Sequence, residues 1–344
     1  MFELIITALM STIITWIITA IVVRYASKLG LVQHPNHRSS HTKITPHGGG
    51  VAIIISTLVF SMWLLWRDPA DHQGHWIAIS LSLIVAIKGL IDDIHPLSAK
   101  LRLFIQFLVS SALLATLYSL PVNGLDNIDH FPLWLSFVLV LIAGVWWLNL
   151  YNFMDGIDGL AASQAIFMLS GAALLIAINT PKVMATTTWA WMVCLAAATL
   201  GFLLHNWSPA KIFMGDTGSL FLAFAIFFLA LLTISQGWMN YVSWSILGAV
   251  FIIDATMTLI RRALSKQRVT EAHRSHAYQR LSRHWGAHSK VTFLTICINV
   301  FWLLPLAYLS LSYPLQGYYY LFLAYFPLVL GVGLLDNILK LDND

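Results

Sequence analysis

Apolar residues run along this chain in long unbroken stretches, and polar residues collect in the gaps between them. Eleven stretches are long enough, or nearly so, to cross a bilayer as helices: 4–23, 49–66, 76–91, 101–120, 131–148, 160–178, 186–204, 217–234, 241–260, 291–311 and 318–335. The third is the shortest and contains Lys88. None shows the period-two alternation of a lipid-facing strand, which excludes a closed barrel. The pattern predicts an all-α, polytopic integral membrane protein of about eleven transmembrane helices. The first stretch has the length of a full span and no small-residue cleavage site follows it, so it reads as a retained helix.

Composition agrees. Of 344 residues 58% are hydrophobic and 10% charged, where a soluble domain carries roughly a quarter charged residues. The two cysteines, Cys194 and Cys297, lie inside apolar runs and read as small core residues, neither a disulfide framework nor a metal cluster. No repeat, low-complexity linker or separate soluble domain interrupts the pattern.

Charge changes the picture more. With the N-terminus outside, seventeen Lys and Arg fall in the odd-numbered loops and the C-terminal tail, and only Arg67 and Lys182 in the even ones. This positive-inside bias predicts a periplasmic N-terminus and a cytoplasmic C-terminus. It also puts the polar clusters on one face, in loops 24–48, 92–100, 149–160, 205–217 and 261–290 of a single membrane-embedded domain.

Those loops hold the candidate chemistry. Asp92, Asp93, Asp155, Asp158 and Asp216 come from three of them. Converging carboxylates repel one another, and a hard divalent cation relieves this; Mg²⁺ needs only one or two carboxylates and an amide oxygen, with substrate phosphates completing its shell. Asn152 and Asp216 fit such a pair. The plain alternative, that Asp158 and Asp216 cap the helices following them, has about even odds for any single acid. The runs Asp155-Gly156-Ile157-Asp158-Gly159 and Gly215-Asp216-Thr217-Gly218-Ser219 open helices, where free N–H groups and glycines suit a diphosphate. The tract Gly48-Gly49-Gly50 reads as a plain turn. The fifth loop joins eight basic residues to four histidines, and His273-x-x-His276-x-Tyr278 favours phosphate binding over zinc. Asp254, inside the ninth stretch, reads as a structural bond between helices or a partner of Arg261 or Arg262.

Asp92-Asp93, Asn149-x-x-Asn152-x-x-Asp155-Gly-x-Asp158-Gly, Phe213-Met214-Gly215-Asp216-Thr217-Gly218-Ser219 and the His273/His276 loop resemble one family, the polyprenyl-phosphate N-acetylhexosamine-1-phosphate transferases. The motifs span roughly residues 35 to 290. The resemblance implies that undecaprenyl phosphate attacks the sugar-bearing phosphorus of a UDP-N-acetyl sugar, releasing UMP. It implies Mg²⁺, with Mn²⁺ able to substitute, at Asn152 and Asp216; Asp92, Asp93 and Asp216 in catalysis; and Lys100, Asn149, Asp155, Gly156, Asp158, His273, Arg274 and His276 around the substrate. The lipid phosphate is mostly ionised at pH 7, so direct attack is expected, with Asp92 or Asp93 orienting and assisting. A bacterial inner-membrane location, an active site facing the cytoplasm, a homodimer and no nucleic-acid partner follow. The loop departs from the family's three consecutive histidines or His-x-His-His; with Pro35-Asn36-x-Arg38-Ser39-Ser40-His41 it looks more like O-antigen and surface-polysaccharide initiators than peptidoglycan enzymes. An ion-coupled transporter is the rival from another class, but transporter sites lie near the midplane. A scaffold binding lipid diphosphates would not need the paired acids.

Overall fold

The computed structural model describes residues 2–28, 30, 32–33, 45–67, 72–119, 132–267 and 273–341. The Pro35–His41 motif therefore lies outside the described residues.

Fourteen α-helices form among the described residues. They begin with α1 (Phe2–Tyr25), α2 (Gly50–Arg67), α3 (His72–Ile94), α4 (Ala99–Ser119) and α5 (Leu133–Phe153). Next come α6 (Leu160–Asn179), α7 (Thr187–Asn206), α8 (Gly215–Ser235), α9 (Tyr241–Leu247) and α10 (Ala249–Leu264). The last are α11 (Ala277–Trp285), α12 (His288–Ile298), α13 (Leu304–Ser312) and α14 (Gly317–Leu341). A two-residue antiparallel pair, β1 (Val32–Gln33) and β2 (Thr45–Pro46), sets Val32 opposite Pro46. The apolar runs become helices because only a helix satisfies its own backbone without water. The 24 residues of α1 reach about 36 Å, enough for a hydrocarbon core of about 30 Å.

Nine described spans are long and apolar enough to cross a membrane. The stretch expected to be one straight span over 241–260 is instead α9 and α10, bent by 76° at Gly248; as one broken span it is the tenth. An eleventh requires α3 to cross as well, although it ends on Lys88, Asp92 and Asp93. The bend leaves backbone groups to satisfy. Gln164 Nε2 donates to the Leu247 carbonyl at 2.9 Å, and Asn299 Nδ2 donates to Gln164 Oε1 at 2.8 Å. Asn299 itself opens a π-turn, Asn299–Leu303, that joins α12 to α13. One buried amide chain thus ties two helix irregularities together.

Helix α8 is the central element, buried along nearly its whole length, while α14 presents Tyr318, Phe322, Phe326 and Leu330 outward. Small residues let the backbones close in, as in membrane packing generally. A Cβ on Gly201 of α7 would strike the Thr12 carbonyl of α1, and Thr12 Oγ1 donates to the Ala197 carbonyl at 2.9 Å. The tightest crossing joins α2 to α8: a Cβ on Gly50 would strike Gly218 Cα. Gly50→Ala should therefore force the two helices apart at a cost of about 1–3 kcal/mol. Thermal unfolding in detergent checks this, and an unchanged midpoint would contradict the close crossing.

Candidate active site

The site is built on the first turn of α8. Gly215 adopts φ +75°, and a Cβ there would stand 2.6 Å from Asp93 Oδ2, so conformation and space both require glycine. Asp93 Oδ1 accepts the Asp216 N–H at 2.8 Å. Asp93 Oδ2 accepts the Thr217 N–H at 3.1 Å and the Thr217 hydroxyl at 2.6 Å. A carboxylate from α3 thus caps the N-terminus of α8, where orphan donors and the helix dipole favour an anion. Gly89, one turn before Asp93, lets α3 approach: its Cβ would meet the Asp216 carbonyl at 2.6 Å. On the other side the Gly49 and Gly50 N–H groups donate to the carbonyls of Phe213 and Met214, both at 3.0 Å. The Gly48–Gly50 tract is the expected turn into α2 and also the backbone clamp on this loop, with Gly48 at φ +81°.

Asn152, at the end of α5, reaches the same turn. Its Nδ2 donates to Asp216 Oδ1 and to Ser219 Oγ, both at 2.9 Å. Asp155 follows in the loop. Burial, then the carboxylates of Asp216 and Asp93, push its carboxyl well above the usual range. A carboxyl whose charged form is disfavoured here, beside the oxygens of Asp216, Asn152 and Ser219, fits a hard cation such as Mg²⁺, whose charge would favour the carboxylate. No three His, Cys, Asp or Glu side chains among the described residues stand close enough to hold a metal by themselves. A cation here would draw its remaining ligands from water and substrate phosphates, as Mg²⁺ ordinarily does.

Asp92 points away from this turn. It is buried, with Oδ2 2.8 Å from Arg102 Nε and 3.3 Å from Lys88 Nζ, while Oδ1 accepts the Leu97 N–H at 2.8 Å. Arg102 Nε donates to the Leu97 carbonyl at 3.1 Å, so its contact with Asp92 is chiefly electrostatic. Asp92 thus pins the turn between α3 and α4. Lys100 is exposed at the start of α4. Asn149, expected at the substrate, braces helices instead: its Nδ2 donates to Gln106 Oε1 at 2.8 Å and to the Val145 carbonyl at 2.7 Å.

Asp158 is a clamp. Its Oδ1 lies 3.1 Å from His288 Nδ1, its Oδ2 accepts the Ala210 N–H at 3.1 Å, and its carbonyl accepts the Thr292 hydroxyl at 2.8 Å. Burial alone would raise its carboxyl. The hydrogen bond and charge of His288, with Ala210 and Ser208, outweigh burial and hold it below the ordinary value. Neither Asp158 nor Asp216 caps its own helix: Gly159, at φ +73°, stands at the start of α6, and Asp93 serves α8.

Asp254 has the structural role expected of it, with a different partner. Its carboxylate accepts the N–H groups of Ala277 at 2.8 Å and Tyr278 at 2.9 Å, capping α11, and lies 3.4 Å from His276 Nδ1. So fixed, Tyr278 donates its hydroxyl to the Phe153 carbonyl at 2.8 Å. A Cβ on Gly156 would strike that hydroxyl. His276 is buried and stacked between His273 and Tyr278. Burial, then His276, Arg262 and Arg261, pull the His273 ring down to about 4. At pH 7 the ring is neutral, not the cation expected from its type. Arg274 is half-buried, its carbonyl accepting from Arg283 Nη2 at 3.0 Å.

The structure thus brings Asp93, Asn152, Asp155 and Asp216 together, with Asp92, Asp158, His276 and Gly156 in the surrounding framework. Lys88, Gly89, Gln106 and His288 are site residues that the motifs do not single out. The i, i+4 spacings Lys88–Asp92 and Gly89–Asp93 are the only local signals that pointed to any of them.

The signature of glycosyl transferase family 4 matches residues 75–234. The chain is 35% identical over 308 residues to a probable undecaprenyl-phosphate N-acetylglucosaminyl 1-phosphate transferase of Bacillus subtilis (strain 168), covering 86% of this chain and 82% of that protein. It is 28% identical over 325 residues to a decaprenyl-phosphate N-acetylglucosaminephosphotransferase of Mycobacterium tuberculosis, covering 85% and 79%. It is 29% identical over 298 residues to a phospho-N-acetylmuramoyl-pentapeptide-transferase of Prochlorococcus marinus, covering 79% and 76%.

The Asp158–His288 pair has a pH signature. Because the folded carboxyl is depressed, the pair stabilises the fold above the ordinary carboxylate range, and that contribution is lost as pH falls through the folded value. In His288→Ala the carboxyl should rise, moving acid destabilisation to higher pH. Melting midpoints across the acid range check this, and coincident curves would refute the clamp.

Proposed function

The chain belongs to glycosyl transferase family 4, and on that footing we propose that it transfers N-acetylhexosamine-1-phosphate from a UDP-sugar to undecaprenyl phosphate. It is a phosphoglycosyl transferase. An oxygen of the lipid phosphate attacks the sugar-bearing phosphorus. The bond from that phosphorus to the oxygen of the UMP phosphate breaks, UMP leaves, and the polyprenyl-diphosphate-sugar stays in the membrane. The observation that carries this reading is the meeting of Asp93, Asn152, Asp155 and Asp216 where apolar spans end, which lets a lipid-borne phosphate and a water-borne nucleotide reach one place.

Two anions must approach, so charge neutralisation and alignment dominate the barrier. Asp216 and Asn152 would hold Mg²⁺, with Mn²⁺ able to replace it; the cation supplies charge neutralisation for the phosphoryl oxygens. Asp216 presents its carboxylate from a fixed helix start, and Asn152 orients that carboxylate through its amide. Asp155 completes the acidic floor beside them, and the loop carrying Asp155 and Gly156 lines the nucleotide-sugar side. His273 and Arg274 face the phosphates from the fifth loop. The lipid phosphate's second ionisation falls near pH 6, so it attacks without a strong base.

The single domain would sit in the bacterial inner membrane as a multi-pass protein, N-terminus periplasmic, with its active site towards the cytoplasm. The positive-inside bias supports this orientation. A homodimer is consistent with the resemblance. Surface-polysaccharide initiation, such as O-antigen synthesis, is the pathway class the His-Arg-Ser-His sequence favours. Neither an ion-coupled transporter nor a pentapeptide transferase is favoured over this reading.

Purified protein with undecaprenyl phosphate, Mg²⁺ and a panel of UDP-N-acetyl sugars should release UMP from at least one sugar. Silence from every sugar, in protein shown to be folded, would sink the reading. Asp216→Ala should abolish Mg²⁺-dependent turnover, and retained activity would remove Asp216 from the metal site.

A further inference from the structure

Paired aspartates at the end of a helix invite the idea that one is a base. Their surroundings point elsewhere. Asp93 sends both oxygens into the backbone of α8, where the Asp216 N–H, the Thr217 N–H and the Thr217 hydroxyl donate to them at 2.8, 3.1 and 2.6 Å. Gly215 closes over Oδ2 so tightly that even a methyl group there would collide with it. Gly89, on the same face of α3, packs against the backbone of Asp216 and Thr217. Asp92 is turned the other way, buried against Lys88 and Arg102. The acceptor phosphate, meanwhile, is already mostly ionised at neutral pH.

We propose that Asp93 is a positioning residue for the transfer: its carboxylate holds the first turn of α8 so that Asp216 is presented beside Asn152, and it does not take a proton from the acceptor phosphate. This inference rests on the transferase reading. The residue whose N–H binds Asp93 Oδ1 is the residue whose carboxylate binds the Asn152 amide, so Asp93 fixes the Asp216 backbone and Asn152 its side chain. A misplacement of about 1 Å at such a centre costs on the order of a hundredfold in rate. The charge of Asp93 is balanced by the helix end and not by substrate. Thr217 shares the work, because its hydroxyl makes the shortest of the three bonds.

The test compares the full-length protein with Asp93→Asn, Asp93→Ala and Thr217→Val. Two readouts are needed: Mn²⁺ affinity by electron paramagnetic resonance without substrate, and UMP release as a function of pH. Asp93→Asn keeps an acceptor for the Asp216 N–H. It should weaken Mn²⁺ binding about 3- to 30-fold, the range that losing a helix cap implies, and still release UMP with the acid limb of the wild-type kcat profile. Thr217→Val should weaken Mn²⁺ in the same direction, and Asp93→Ala more than either. An Asp93→Asn protein that binds Mn²⁺ like the wild type yet releases no UMP, or whose acid limb disappears, would make Asp93 a chemical participant and overturn the proposal. Wild-type Mn²⁺ affinity in Thr217→Val would overturn it too. If Asp93→Ala does not fold, the other two variants decide. If the wild-type protein releases no UMP from any sugar, the transferase reading fails, while the Mn²⁺ comparison still tests the positioning.

Discussion

One half-buried carboxylate at one helix start organises this molecule. The N-terminus of α8 would otherwise leave backbone donors unmet among apolar helices, where each costs several kcal/mol. Asp93 meets two of them and a hydroxyl. Desolvating its charge is offset by the same donors and by the helix dipole. Because Asp93 is the last polar residue of α3, the bond locks α3 to α8. Because Gly50 and Gly89 carry no side chain, α2 and α3 close on either side of the same turn. Shift that turn and Asp216, Asn152 and Ser219 all lose their register.

The other acids follow the same logic one step further out. Asp254 caps α11, and α11 sets Tyr278 against the Phe153 carbonyl and Gly156. Burial, then Asp254 and Asp155, keep the Tyr278 phenol firmly protonated, so it serves only as a donor here. Asp158 draws together Ala210, His288 and, through its carbonyl, Thr292. Four of the acids are thus framework, each with named partners. Asp155 and Asp216 remain, and on the proposed reading they are the pair beside the cation. This division of labour is what separates a cation site from a set of helix caps.

The spans and the site were legible to different depths. Long apolar runs announce helices because lipid offers backbone no other partner, and the motifs meet at the helix ends as their placement in the chain suggested. The break at Gly248 was not legible. A glycine inside an apolar run looks like a packing glycine, and what makes the bend tolerable is Gln164, more than eighty residues away. Capping is hidden in the sequence for a similar reason. An acid before an apolar run suggests a cap for that run, yet Asp216 is itself held by Asp93 from a helix far earlier in the chain. His273 shows the limit of residue type alone, since burial, then a stacked histidine and two arginines, keep its ring neutral.

The same accounting bears on how the reacting anions are neutralised. Basic residues are plentiful around the site, but many are already engaged. Lys88 and Arg102 face Asp92. Arg261 donates to the Ser275 carbonyl, Arg280 to the Leu335 carbonyl and Arg283 to the Arg274 carbonyl, so three guanidinium groups of the fifth loop clamp backbone. The Arg261 and Arg280 contacts are part-buried, and removing a donor there costs up to about 1–3 kcal/mol, which weighs against recruiting these two groups to a passing substrate. On the proposed reading, neutralisation falls largely to a cation beside Asp155 and Asp216. On the proposed reading the arginines shape the site, and the acids at its floor are what make it receptive to phosphate, through the ion they would hold.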